Sequence, residues 1–156
     1  YTVEPPVGGE GNYKVQPACA KVKSLLEAEG FQVEEFVSQP YGEGFTTKYE
    51  EVVKGYDLIL YVANLSTKSN QTVVRIEWKQ PMGADCGHYI NDVPTVFVSL
   101  ENPYHLLDFP RVKTYINCYS NNDHCIHQLV EKLTGRSAFK GKSPVDAFCG
   151  KWDAHL

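Results

Sequence analysis

The sequence predicts an α/β fold, a three-layer α/β/α sandwich of flavodoxin-like type on a mostly parallel sheet. Three observations carry this. Leu58-Ile59-Leu60-Tyr61-Val62-Ala63 is a continuous apolar run rather than an alternating one, which suits a strand covered on both faces, as in parallel sheets. Candidate strands alternate with candidate helices, the pattern of right-handed βαβ units. The length, 156 residues, is that of one ordinary domain. A (β/α)₈ barrel, at roughly 250 residues, does not fit.

Taken in order, Tyr1 to Val7 reads as an opening strand, followed by the loop Gly8-Gly9-Glu10-Gly11. From Pro17 the pattern is helical, with Ala18, Val22, Leu25 and Leu26 on one face and Gly30 placed to end the helix. Phe31 to Val37 reads as a strand. Thr47 and Glu50 have capping-box spacing, and Tyr49, Val52, Val53 and Tyr56 make a short amphipathic helix closed by Gly55. The apolar run follows, then a strand from Thr95 to Leu100 and another from Lys113 to Cys118. Ser120 and Asp123 are candidate caps for a helix from Asn121 to Leu133, whose Ile126, Leu129, Val130 and Leu133 share one face. From Gly135 to Leu156 the periodicity stops, yet Phe139, Val145, Phe148 and Trp152 recur; an irregular tail docked on a surface is expected.

The composition narrows the function. With 42% hydrophobic and 22% charged residues the chain is globular, and 15 Lys and Arg against 19 Asp and Glu leave a net charge of −4. The basic residues are scattered, so a nucleic-acid partner is not expected. No apolar run approaches the roughly 18 residues of a membrane span, and no membrane partner is expected. Five cysteines at irregular spacings read as free thiols in a reducing compartment, and a cytoplasmic location is the expectation. The chain begins Tyr1-Thr2-Val3 and its one methionine is Met82, which suggests a piece processed or cut from something longer.

Ligands of open parallel sheets collect beyond the carboxyl ends of the strands. Asn64, Ser66 and Asn70 stand there after the apolar strand, Glu101 and Asn102 after the next, and Asn117 and Ser120 after the third. Side-chain amides and hydroxyls bind sugar hydroxyls; they also serve turns and helix caps, their commoner use. Asn64, Ser66, Asn70 and Asn102 are the candidate substrate-binding residues. The loop Gly8 to Gly11 lacks dinucleotide spacing, and five residues separate it from the helix, so no cofactor is expected. Cys118, His124, Cys125 and His127, with Cys86 and His88 elsewhere, invite a metal reading. On a helix at about 100° per residue, however, Cys125 and His127 point about 160° apart, and no metal is expected. No nucleophile motif is present, and Glu34-Glu35 and Glu50-Glu51 read as solvated faces and caps. The sequons at Asn64 and Asn70 read as coincidence.

Several long segments resemble the C-terminal domain of bacterial β-N-acetylhexosaminidases of glycoside hydrolase family 3. They are Asp57 to Ile76, including Tyr61-Val62-Ala63-Asn64-Leu65-Ser66; Pro94 to Asp108, including Glu101-Asn102-Pro103-Tyr104-His105-Leu106-Leu107-Asp108; and Val112 to Asn117. Glu131 to Arg136, Phe139-Lys140-Gly141, Ser143 to Asp146 and Phe148 to Asp153 continue the series. The likeness covers about residues 57–156 in their wording and 17–56 only in pattern, and departs near Cys86-Gly87-His88-Tyr89. It implies an α/β sandwich accompanying an N-terminal catalytic barrel that holds the carboxylate nucleophile and a histidine-based acid/base. Neither barrel motif has a counterpart in this sequence, so the resemblance carries over no catalytic residue. It implies an accessory domain whose partners are the barrel of the same polypeptide and the enzyme's carbohydrate substrate. A free-standing carbohydrate- or nucleotide-binding module is the alternative.

Overall fold

The computed structural model describes residues 1–4, 17–36, 48–67, 74–78 and 88–150. Among these residues the sheet has four parallel strands in sequence order: β1 (Thr2–Val3), β2 (Ile59–Ala63), β3 (Thr95–Ser99) and β4 (Thr114–Asn117). The helices are α1 (Ala18–Ala28), α2 (Tyr49–Gly55) and α3 (Asp123–Leu133), joined by 3₁₀ turns at His88–Asn91 and Pro103–Leu107.

Alternation along the strands sorts the apolar residues into two cores. Val62 and Val98, with Leu60, Val96 and Ile116 beside them, pack under Val22 and Leu26 of α1 and Ile126, Leu129 and Val130 of α3. Tyr61, Ala63 and Phe97 point the other way and meet Val52 of α2 together with Tyr89, Ile90, Val93, Phe109 and Val112. Covering on both faces is why the β2 run has no polar alternate. In the second core an aromatic ladder crosses the sheet: Tyr61 and Phe97 are paired in register with centroids 5.9 Å apart, and Phe97 and Tyr115 likewise at 5.3 Å.

Local chemistry sets the helix ends. Gly30 has φ +92°, and Gly30 N–H donates to Glu27 O and Phe31 N–H to Leu26 O, the paired bonds of a Schellman stop. Gly135, at φ +77°, closes α3 in the same way, with Arg136 N–H donating to Glu131 O at 2.8 Å.

Four expectations are corrected. Among the described residues the opening strand is Thr2–Val3, and Glu4 lies outside the ladder with its carboxylate accepting Ala18 N–H at the start of α1. Residues 31–36 form no strand: with β1 two residues long, their one backbone bond to it is Thr2 N–H to Phe36 O at 3.1 Å. The third helix starts at Asp123 rather than Asn121, and its cap is Asn122, whose Oδ1 accepts Cys125 N–H at 2.9 Å. Ser120 Oγ instead accepts Asn122 N–H, and Asn121 is drawn toward β2. Finally, Lys48 precedes α2 without a side-chain cap, and Tyr49 and Tyr56 are exposed at its rim, their hydroxyls on Asp92 and Glu34. Val7, Val37, Thr47 and Trp152, and the loop Gly8 to Gly11, lie outside the described residues.

Candidate functional site

The carboxyl ends of β2, β3 and β4 form a polar edge held by side-chain amides and carboxylates. Asn64, just past β2, is 3% exposed. Its Nδ2 donates to Glu4 Oε1 at 2.9 Å, and its Oδ1 accepts from Asn121 Nδ2 at 3.1 Å. Glu4 in turn accepts the first N–H groups of α1, from Ala18 at 3.1 Å and Cys19 at 3.3 Å, the place where a helix favours an anion. A polar chain therefore links β1, α1, β2 and the entry to α3.

A second network follows β3. Asn102 caps the 3₁₀ turn, with Oδ1 accepting Tyr104 N–H at 3.0 Å and Nδ2 donating to Val74 O at 3.4 Å. His105, fully buried, faces Asp108: Nδ1 lies 2.9 Å from Asp108 Oδ2. Asp108 also pairs with Arg75 and accepts Ile76 N–H at 3.3 Å. Burial alone would raise the Asp108 pKa, but donation from His105, Arg75 and the Ile76 N–H prevails and holds it below the usual carboxylate range. This network clamps residues 74–78 against the turn.

The candidate residues thus fall into different places. Asn64 and Asn102 are struts of two networks, with both ends of each amide engaged. Ser66 is exposed in the loop beyond β2, and Asn70 lies outside the described residues. Sequence reasoning missed Glu4, Arg75, His105 and Asp108. The one available signal was the i, i+3 pair His105 and Asp108 within the apolar context Leu106-Leu107 and Phe109.

Among the described residues no group of three His, Cys, Asp or Glu is placed to hold a metal ion. Cys118, at the end of β4, has its thiol pushed up to about 12 by burial and by nearby Cys125; His124 and His127 are exposed on α3. The four described cysteines, Cys19, Cys118, Cys125 and Cys149, are free thiols. No helix among the described residues is long and apolar enough to cross a membrane.

A groove of about 540 Å³ lies between β4, α3 and the tail at 139–144. Asn117, Tyr119, Gln128, Lys132 and Phe139 are among its lining residues. The tail reaches it through Tyr119 and Ser143, whose hydroxyls are 2.7 Å apart, while Lys132 donates to Ala138 O at 3.0 Å and lies over the Phe139 ring.

A parallel sheet with helices on both faces and a strand-end edge tied by internal struts defines a three-layer α/β domain. Comparison with known proteins makes this specific. The chain is 53% identical over 135 residues to a β-N-acetylglucosaminidase/β-glucosidase of Cellulomonas fimi, a match that takes in 86% of this chain and 24% of that protein. Two solved structures described as beta-glucoside phosphorylase BglX, the second bound to 2FGlc, match with TM-scores of 0.77 and 0.75 at 44% and 43% identity. They cover 99% and 96% of this chain, and the chain covers 26% of each. No protein-family model matches. The chain is thus similar to the C-terminal α/β domain of glycoside hydrolase family 3 enzymes, and spans about a quarter of the length of these relatives.

Proposed function

We propose that this chain is the accessory C-terminal domain of a two-domain β-N-acetylhexosaminidase that hydrolyses terminal N-acetylglucosaminides. In this reading the catalytic barrel lies in the rest of the polypeptide, and this domain braces it or completes one wall of its cleft. The observation that carries it is the 53% identity to a named β-N-acetylglucosaminidase/β-glucosidase of which the chain covers only 24%. The internal chemistry agrees: Glu4 and Asp108 are occupied as helix and turn anchors rather than facing an open cleft as a pair of glycosidase carboxylates. In the whole enzyme, a carboxylate of the barrel attacks the anomeric carbon and water releases the glycosyl-enzyme, the retaining course.

The test is to assay the purified chain, the remaining polypeptide, and the two mixed, against aryl N-acetylglucosaminide and aryl glucoside, with and without inorganic phosphate. Turnover is expected only where the barrel portion is present, improved by this chain, and faster on the N-acetylglucosaminide without phosphate. Turnover by the chain alone would refute the accessory role. A requirement for phosphate would move the reaction to the phosphorylase class that the names of the two structural relatives describe.

A further inference from the structure

Among the described residues β4 is the outermost strand of the sheet, and its outer side opens into the groove beside the tail. Cys118 N–H donates inward to Ser99 O at 2.9 Å, so by strand alternation the backbone groups of Tyr115 and Asn117 point outward. They have no partner among the described residues. An open edge of this kind is a template for another strand, and proteins ordinarily blunt or cover it. Here residues 139–144 run past it without backbone pairing, leaving the groove between.

Three further features converge on that space. Asn117 Oδ1 is buried and without a hydrogen-bond partner, which calls for an N–H donor. Phe139 and Tyr119, two of the large apolar side chains left exposed, line the groove. Its charged lining residues are Lys132, Lys140 and Lys142, with no Asp or Glu, in a chain of net charge −4. Lys140 and Lys142 have no ion-pair partner among the described residues.

We propose that this groove receives an extended, acidic segment from the rest of the parent polypeptide, added as a fifth strand on β4. Its backbone pairs with Tyr115 and Asn117, one N–H satisfies Asn117 Oδ1, its apolar side chains cover Phe139 and Tyr119, and its carboxylates meet Lys140 and Lys142. The inference rests on the reading of this chain as one domain of a longer enzyme and names the surface by which it docks. Lys140 and Lys142 are solvent-exposed, so the attraction is screened by salt.

The test compares the 156-residue chain alone with the chain bound to the separately produced remainder of the enzyme, by amide hydrogen exchange and by affinity. Association should slow exchange at Tyr115 and Asn117 by tenfold or more. The double variant Lys140→Glu/Lys142→Glu, which leaves the thermal melt of the chain unchanged, should weaken association about fivefold to tenfold at low salt and less at high salt. Asn117→Pro, which removes an outward N–H while sparing the bonds to β3, should lose the protection at Tyr115. If the two pieces do not associate at all, the accessory-domain reading itself fails. If they associate with exchange at Tyr115 and Asn117 unchanged and full affinity in the double variant, that reading stands and this surface is wrong. Protection of the same amides by N-acetylglucosamine or inorganic phosphate alone would overturn the peptide occupant in favour of a small ligand.

Discussion

Asn64 donates to Glu4 across 60 residues of sequence, and through that bond the end of β2 holds the carboxylate that starts α1. Asn121 closes the chain from the other side. A residue at a strand end, where ligands of open parallel sheets collect, is here bonded at both ends of its amide. Asn64→Leu leaves the Asn121 amide unpaired and strips a donor from Glu4. It is expected to cost about 2–3 kcal/mol in urea unfolding with an unchanged m value. An unshifted midpoint would show that Asn64 is no strut.

Asp108 gives the domain an acid-sensitive anchor. Its folded pKa is depressed, so its contribution is fully present above the unfolded value of about 4 and is lost as pH falls through the lower folded value. Asp108→Asn should therefore destabilise by about 2 kcal/mol at pH 7, a figure kept modest because Arg75 is half exposed. The difference between the two proteins should shrink below pH 4. Thermal melts from pH 3 to 7 check both statements, and a constant difference across that range would exclude the anchor.

Phe97 is fully buried between Tyr61 and Tyr115 at the centre of the aromatic ladder. Phe97→Ala is expected to cost about 3–5 kcal/mol and Phe97→Leu clearly less, read from chemical denaturation. Equal losses would mean that the site collapses around either side chain.

The thiols should alkylate in order of access rather than of sequence. Cys149 is exposed, whereas burial raises the pKa of Cys19 and pushes Cys118 up to about 12. Iodoacetamide at pH 8 should label Cys149 in minutes and reach Cys19 and Cys118 only after denaturant, as mass spectrometry of the peptides will show. Raising the pH to 9 should leave both of these still protected.

Much of this architecture was legible in local patterns. The apolar run at β2, the period of α1 and α3, and the glycines at positions 30 and 135 each act within a few residues, so spacing reveals them. The site was legible only in position. Asn64 and Asn102 were found at strand ends, but their partners Glu4, Asn121 and the Val74 carbonyl lie 60, 57 and 28 residues away, beyond any periodic signal. Over the described residues 31–36 the expected strand does not form, because propensity does not supply a neighbour: β1 is two residues long, and a single backbone bond, Thr2 N–H to Phe36 O, joins them.

The sequence by itself determined the α/β class, the two-sided burial of β2, the helix stops and the likeness to the C-terminal domain of a glycoside hydrolase, because each is written in contiguous or periodic residues. Only the tertiary structure decided that Asn64 and Asn102 are engaged as struts. It also decided that His105 and Arg75 converge on one carboxylate, and that the open side of β4 meets a cationic, aromatic groove. Those facts depend on which distant groups share a few ångströms once the sheet closes, and polar side chains at such range compete for partners in ways that spacing cannot express.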